Sequence, residues 1–217
     1  MINRPGIKDR AKTMFSMNYW KLVGIALLGF ILVFGPSAFV NKYDVTAGGV
    51  KVTPNKTVSI LSIAYTIFVG NVITVGLCRA CLAAYRGEEF DLGDLFAFFN
   101  EGYLRVVGGM ALVTLFVTLG FILLIVPGII ASLGLSRVAY LLADGDTATG
   151  IDLIKKSWDM MNGHKSELFV FILSFIGWLL LTAITAGIVG VFYVNPYLNV
   201  ALAGYHDELT NSAPAAA

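Results

Sequence analysis

The feature that most constrains this chain is a run of 38 residues without a charged side chain, at positions 168–205. As one straight helix the run would extend about 57 Å, nearly twice the roughly 30 Å hydrocarbon core of a bilayer. The run therefore folds back on itself. Gly187 and Gly190 favour a turn, so we place the break within residues 186–191.

The composition excludes a soluble protein. Hydrophobic residues make up 57% of the chain and charged residues 13%, against about 25% charged in soluble domains. The mean hydropathy is +0.79. A net charge of +1 provides no field to attract nucleic acid, and two cysteines are too few for a disulfide framework. The chain is therefore predicted to be an integral membrane protein that does not bind nucleic acid.

Three further apolar runs complete the predicted topology. Residues 22–41 and 57–78 are long enough for one span each. The third run starts at Val106, and it reaches residue 143 if Arg137 is allowed inside, close enough to an end for its guanidinium to snorkel to the headgroups. The pair Pro127-Gly128 then marks its fold-back. The six predicted spans are 22–41, 57–78, 106–126, 129–143, 168–186 and 190–205, in one domain of residues 1–211 followed by a disordered tail at 212–217.

The positive charges predict the orientation. Short segments rich in Lys and Arg stay on the cytoplasmic side of a membrane. With six spans, twelve of the fifteen basic residues lie on the side of the N-terminus, and three lysines lie in the loop at 41–56. Both termini are therefore predicted to be cytoplasmic.

An internal repeat is predicted where the odd-numbered spans begin. Each is preceded by an amphipathic stretch and by aromatic or basic residues that anchor a helix at a membrane interface. These anchors are Trp20, Lys21, Arg105, Trp158 and Lys165. The apolar faces comprise Ile7, Ala11, Met14 and Phe15, then Leu95, Phe96 and Phe99, then Ile151, Ile154, Trp158 and Met161. The repeated unit is an interfacial helix followed by a two-span hairpin. The alternative is that any helix entering a membrane begins with such anchors.

The outer loop differs in composition from the rest of the chain. Tyr43 and Val45, then Val50 and Val52, alternate with polar residues around two glycines. This pattern predicts a small β-hairpin. The predicted fold is therefore an all-α membrane bundle of six spans, with three interfacial helices and one outer hairpin.

Several short motifs occur in an order that resembles a known family. They are Asn18-Tyr19-Trp20, Gly76-Leu77-Cys78-Arg79, Arg86-Gly87-Glu88, Pro127-Gly128-Ile129, Ala143-Asp144, Met161 to Lys165, Leu173 to Trp178, and Pro196-Tyr197. Over about residues 7–209 the chain resembles the bacterial integral membrane family catalogued as domain of unknown function 975. The resemblance implies a multi-pass protein of the bacterial inner membrane with a cytoplasmic N-terminus. It implies no activity and does not include the outer hairpin.

Residues for catalysis or proton pumping are missing from the predicted spans. No Asp or Glu lies in any of them, and neither a His-Glu-x-x-His zinc motif nor a glycine-rich phosphate loop occurs. We therefore expect no enzymatic activity, no cofactor and no metal.

The cysteines and histidines have structural and functional alternatives. Cys78 and Cys81 share one helix face beside small residues, which favours close helix packing over redox chemistry or lipidation. His164 and His206 are interpreted as interfacial anchors, with a shared metal or proton site as the alternative.

A second group of residues indicates either helix packing or contact with a solute. Asn71 lies within the second span, where an amide is expected to bond a neighbouring helix. Pro127, Gly128, Asn195 and Pro196 are interpreted as turn residues, although broken helices also line transporter sites. The predicted function is an accessory or scaffold subunit that binds lipids and a membrane protein partner or a second copy of itself. The alternative is a transporter or channel for a small or lipid-like solute.

Overall fold

The chain forms a helical bundle in a computed structural model that describes residues 2–38, 41–46, 49–54, 56–100 and 102–212. Two π-helical turns, Thr66–Gly70 and Gly190–Val194, and one 3₁₀ turn, Leu92–Phe96, interrupt the α-helices. The α-helices are α1 Arg4–Met17, α2 Tyr19–Ala38, α3 Lys56–Tyr65, α4 Asn71–Arg86, α5 Ala97–Asn100, α6 Tyr103–Leu123, α7 Ile125–Leu135, α8 Val138–Ala143, α9 Gly150–Met160, α10 Lys165–Leu173, α11 Ile176–Ile184 and α12 Asn195–Ser212.

The helices follow the order of the predicted repeat. A short helix precedes a helical hairpin three times, as α1, as the 3₁₀ turn with α5, and as α9. Helices α4, α8 and α12 each belong to the second half of a hairpin, and we call them the returning helices. Helix α4 contacts both α8 and α12, and the three supply much of the core. In an apolar 18-residue stretch of each span, 33% and 44% of the stretch is buried in the helices that end at Arg86 and Ala143. The corresponding share is 17% in the helices that start at Tyr103 and Lys165. The interior of the bundle is thus built from the second helix of each hairpin.

Within the described part of the chain, four helices are long and apolar enough to cross a membrane: Leu61–Arg86, Tyr103–Leu123, Ile125–Ala143 and Lys165–Ile184. The pair α1 and α2, bent by 95°, adds a fifth if it counts as one span. These lengths are those of a multi-pass membrane protein, but they do not establish six spans. The predicted span at 190–205 instead forms part of a longer helix that continues through Asp207 and Glu208.

The first predicted fold-back is displaced along the chain. Helix α6 ends at Leu123 and the backbone turns at Leu124, which is extended (φ −169°, ψ 158°). Pro127 therefore lies in the first turn of α7, where a proline's missing N–H costs nothing. Gly128 serves close packing, because a Cβ there would lie 2.5 Å from the Phe121 ring. The prediction that this pair forms the turn was wrong.

The second predicted fold-back is confirmed within residues 186–191. Ala186 (φ 50°) and Gly187 (φ 89°) both have left-handed backbone conformations between α11 and the following π-helical turn. In contrast, Asn195 and Pro196 do not turn the chain, because they continue that π-helical turn into α12. In a regular α-helix the ring of Pro196 would clash with the backbone carbonyl four residues earlier, and the wider π-helical turn lies at that place.

The predicted outer hairpin is present. Strands β1 Asn41–Thr46 and β2 Gly49–Pro54 pair antiparallel, with Tyr43 opposite Val52 and Val45 opposite Val50. The predicted turn residue Gly48 and all but the first residue of the predicted tail lie outside the described residues.

The N-terminal helix is docked on the last helix. The backbone N–H of Asn3 donates to Glu208 Oε1 (3.1 Å), and the Tyr197 hydroxyl donates to the Lys8 carbonyl (3.4 Å). Three residues of the predicted apolar face of α1, Ile7, Ala11 and Phe15, are buried. That face of the amphipathic helix therefore packs on protein.

Candidate functional site

Charged side chains from three helices converge at one end of the bundle around Arg86. Its guanidinium donates from Nη1 to Asp144 Oδ1 (2.6 Å), from Nη2 to Asp144 Oδ2 (3.1 Å) and from Nε to Asp207 Oδ1 (2.8 Å). Helix α4 ends here because Gly87 adopts φ 82° and caps the helix. The hydrogen bonds from Arg86 hold the pKa of Asp144 below its usual value. Arg86 thus ties α4 to the end of α8 and to α12.

Arg137 turns inward, so the prediction that it snorkels to the headgroups was wrong. It is 2% exposed, and its Nη1 donates to the Leu202 carbonyl (3.2 Å). The guanidinium carbon lies 4.8 Å from the Tyr140 ring centroid and 5.7 Å from that of Tyr205. The backbone turn at Ser136-Arg137 between α7 and α8 directs the side chain to α12. Aromatic faces and a carbonyl thus stabilise this buried cation.

His206 is fully buried, so its interpretation as an interfacial anchor was wrong. Its imidazole stacks on the Tyr140 ring, with the two ring centroids 5.3 Å apart, and its Nε2 lies 4.0 Å from Asp144 Oδ2. Neither ring nitrogen has a hydrogen-bond partner among the described residues. Burial, followed by the charge of Arg137, lowers the pKa of His206 to about 3. The imidazole is therefore neutral at physiological pH.

This lowered pKa predicts that acid weakens the fold. An exposed histidine has a pKa of about 6.5, so below that pH the unfolded chain binds a proton that folded His206 does not. The free energy of unfolding should therefore fall between pH 6.5 and pH 4.5, by up to about 1.4 kcal/mol per pH unit. Unfolding in detergent across this range measures the slope.

His206→Gln should remove most of this slope, because glutamine binds no proton in this pH range. A slope in His206→Gln equal to that of wild type would contradict a buried, neutral His206. His164 lies elsewhere, where its Nδ1 pairs with Glu167 Oε2 at 2.9 Å. The described residues contain no group of three or more His, Cys, Asp or Glu placed to hold a metal.

The two cysteines are buried free thiols on α4. Ala80 and Ala84 beside them are also buried, and a Cβ on Gly76 would lie 2.5 Å from the Leu95 carbonyl oxygen. Helix α4 therefore approaches the segment before α6 very closely, in agreement with the predicted role in helix packing.

Asn71 lies directly after the first π-helical turn. Its Nδ2 is buried and has no hydrogen-bond partner among the described residues, so the structure does not form the interhelical bond predicted for it. Within the π-helical turn, the Phe68 carbonyl accepts from the Tyr103 hydroxyl (3.0 Å). The second π-helical turn is likewise followed by an asparagine, Asn195. The two hairpins thus share a local irregularity that the sequence pattern did not reveal.

The predicted interface anchors lie in different surroundings. Trp20 is largely exposed, and Lys21 Nζ lies 5.9 Å from the Phe90 ring. Arg105 Nε is buried without a partner among the described residues. Trp158 and Lys165 contact each other, with the Lys165 Nζ 3.3 Å from the ring centroid of the Trp158 indole. The last two therefore join α9 to the start of α10.

The length, apolar composition and hairpin order of the helices are consistent with the class of multi-pass membrane proteins. The sequence profile of the family described as Protein of unknown function (DUF975) matches residues 105–213, which is half of the chain. The chain belongs to this family. No significant match was found to a curated protein or to a solved structure. The matched region includes Arg137, Asp144 and His206, whereas Arg86 precedes it.

The cluster around Arg86 was not predicted from the sequence. Arg86, Asp144 and Asp207 lie outside the predicted spans, where charged residues are expected in any membrane protein. The Arg86-Gly87 pair does signal a helix end with a basic last turn. It does not reveal which acids the arginine binds.

Proposed function

We propose that this protein is a non-enzymatic accessory or scaffold subunit of the bacterial inner membrane, which binds lipids and either a partner membrane protein or a second copy of itself. The carrying observation is an apolar belt on the outer helices α6, α10 and α11. Only 17% of the apolar window is buried in each of the spans Tyr103–Leu123 and Lys165–Ile184. The belt includes Phe116, Leu119, Ile122, Leu173, Leu180 and Ile184, all exposed.

The two arginines within the bundle are occupied by contacts inside the chain. Arg86 binds two acids of the same chain, and Arg137 binds a carbonyl and two aromatic faces. These contacts hold helices together. A surface this apolar requires either lipid or another apolar protein surface to cover it.

Purification in a mild detergent tests the proposal. The native mass of the particle, measured without denaturation, should exceed that of one chain by a stoichiometric protein component or by whole copies of the chain. Particles that contain one chain only, under conditions that preserve known membrane complexes, would contradict it.

We further propose six spans with both termini in the cytoplasm, supported by the three hairpins and the distribution of positive charge. With Cys78 and Cys81 replaced, single cysteines at Gly49 and Ile188 should react with an impermeant thiol reagent from outside. Cysteines at Leu92 and Asn211 should react only after the membrane is opened. Labelling of position 211 from outside would instead support an odd number of spans.

A transporter for a small or lipid-like solute is the second candidate, because Asn71 has a buried amide nitrogen without a partner beside a π-helical turn. Because the buried amide nitrogen of Asn71 has no hydrogen bond to lose among the described residues, Asn71→Leu should leave the free energy of unfolding unchanged or raise it. Ser132→Ala is the control, because that hydroxyl donates to the Ile129 carbonyl of its own helix and to no other described residue. If the protein is an accessory subunit, liposomes that contain the purified protein and a pH dye should show no proton flux when candidate solutes are added. Flux that Asn71→Leu abolishes and Ser132→Ala retains would establish the transporter.

A further inference from the structure

A groove of about 520 Å³ lies between the start of α1 and the end of α10. Its basic side chains are Arg4 and Lys8, and its apolar surface is formed by Pro5, Val170 and Phe171. The groove therefore combines a cationic end with an apolar floor.

Among the described residues, no acidic partner is bound to the two cations of this groove. Neither Arg4 nor Lys8 forms an ion pair within the described part of the chain. Lys8 Nζ lies over two aromatic rings, 4.7 Å from the Phe175 centroid and 5.8 Å from that of Phe171. Burial, followed by the charge of Arg4, lowers the pKa of Lys8. An anion between the two side chains would relieve this repulsion.

The position of α1 indicates where such an anion comes from. The helix lies at 95° to α2, so if α2 crosses the membrane, α1 runs along its surface at the level of the headgroups. Membrane lipids are the molecules there that carry both a phosphate and an acyl chain. Arginine matches a phosphate with two parallel N–H groups, and lysine adds a compact second charge.

We propose that this groove, defined by Arg4, Lys8, Val170 and Phe171, binds an anionic glycerophospholipid, with its phosphate between the two cations and an acyl chain on the apolar floor. The inference rests on the membrane location in the proposed function. Asp9 also lines the groove and is exposed. Its negative charge repels an anion, so a variant without this charge should bind the lipid more tightly.

Native mass spectrometry of the purified protein with phosphatidylglycerol tests this site directly. Arg4→Gln and Lys8→Gln should each weaken binding about fivefold, and together about 25-fold, which corresponds to roughly 1 kcal/mol per basic residue at an anionic lipid surface. Asp9→Asn should strengthen binding. Val170→Trp, which fills the apolar part and keeps both charges, should weaken it at least as much as one charge removal.

Lys12→Gln is the matched control, because it removes the same charge from an exposed position on the same helix outside the groove. It should leave binding unchanged. Each variant must keep the wild-type melting temperature to be compared. Equal losses from Lys12→Gln and Lys8→Gln, or full displacement of the lipid by inorganic phosphate, would overturn the proposal. Since this assay contains no partner protein, its failure is distinct from a failure to find a partner.

Discussion

Replacing Gly76 by alanine should lower the free energy of unfolding by about 3 kcal/mol, the upper end of what overpacking costs. A Cβ there would lie 2.5 Å from the Leu95 carbonyl oxygen and 2.7 Å from the Asp94 carbonyl oxygen. Both are backbone atoms, so no side-chain rotation can relieve the clash. Helix α4 or the 3₁₀ turn would have to move. Denaturant unfolding in detergent, followed by tryptophan fluorescence, measures the loss.

Gly24→Ala is the matched control within α2. No atom of the described residues lies within 4 Å of a Cβ at Gly24, so the alanine should stabilise the helix by about 0.5 to 1 kcal/mol. Similar destabilisation by both substitutions would show that the close approach at Gly76 does not hold the bundle together.

The second large effect is expected from Arg86→Leu, which should cost about 2 kcal/mol. Three charge-assisted hydrogen bonds are lost, and Asp144 and Asp207 are left facing each other without a cation. We place the cost below the range for a fully buried pair because these side chains are partly exposed. The same unfolding measurement applies.

Arg79→Leu separates a general effect of charge from the effect of this cluster. Arg79 lies on the same helix and, among the described residues, pairs with one acid, Asp94, at 3.5 Å; its side chain is 43% exposed. Its loss should cost at most about 1 kcal/mol. An equal cost for both arginines would contradict the structural role of the Arg86 cluster.

The sequence predicted the elements of this fold better than their contacts. Uncharged runs locate helices because the bilayer demands about 20 apolar residues per span, and alternation around glycines located the hairpin of β1 and β2. The fold-back at Leu124 was not predicted, because the nearby Pro127 and Gly128 are residue types that are typical of turns. In the structure they serve as the first turn of α7 and its close contact with α6.

The candidate site was harder to predict because its residues are distant in sequence. Arg137 and His206 are polar residues near predicted helix ends, where solvent or headgroups usually receive them. Their burial depends on the turn at Ser136 and on the aromatic rings of Tyr140 and Tyr205. No local pattern carries that information.

If the protein is an accessory subunit, we expect part of the apolar belt of α6, α10 and α11 to contact another protein chain, and photocrosslinking within the membrane detects such a contact. A benzophenone side chain is introduced in turn at Leu119, Ile122 and Leu180, which are exposed, and at Lys12 as the control outside the belt. After irradiation of native membranes, at least one belt position should give a discrete protein adduct of constant mass that Lys12 does not give. Lipid adducts alone at all three belt positions would contradict contact between this belt and another protein chain.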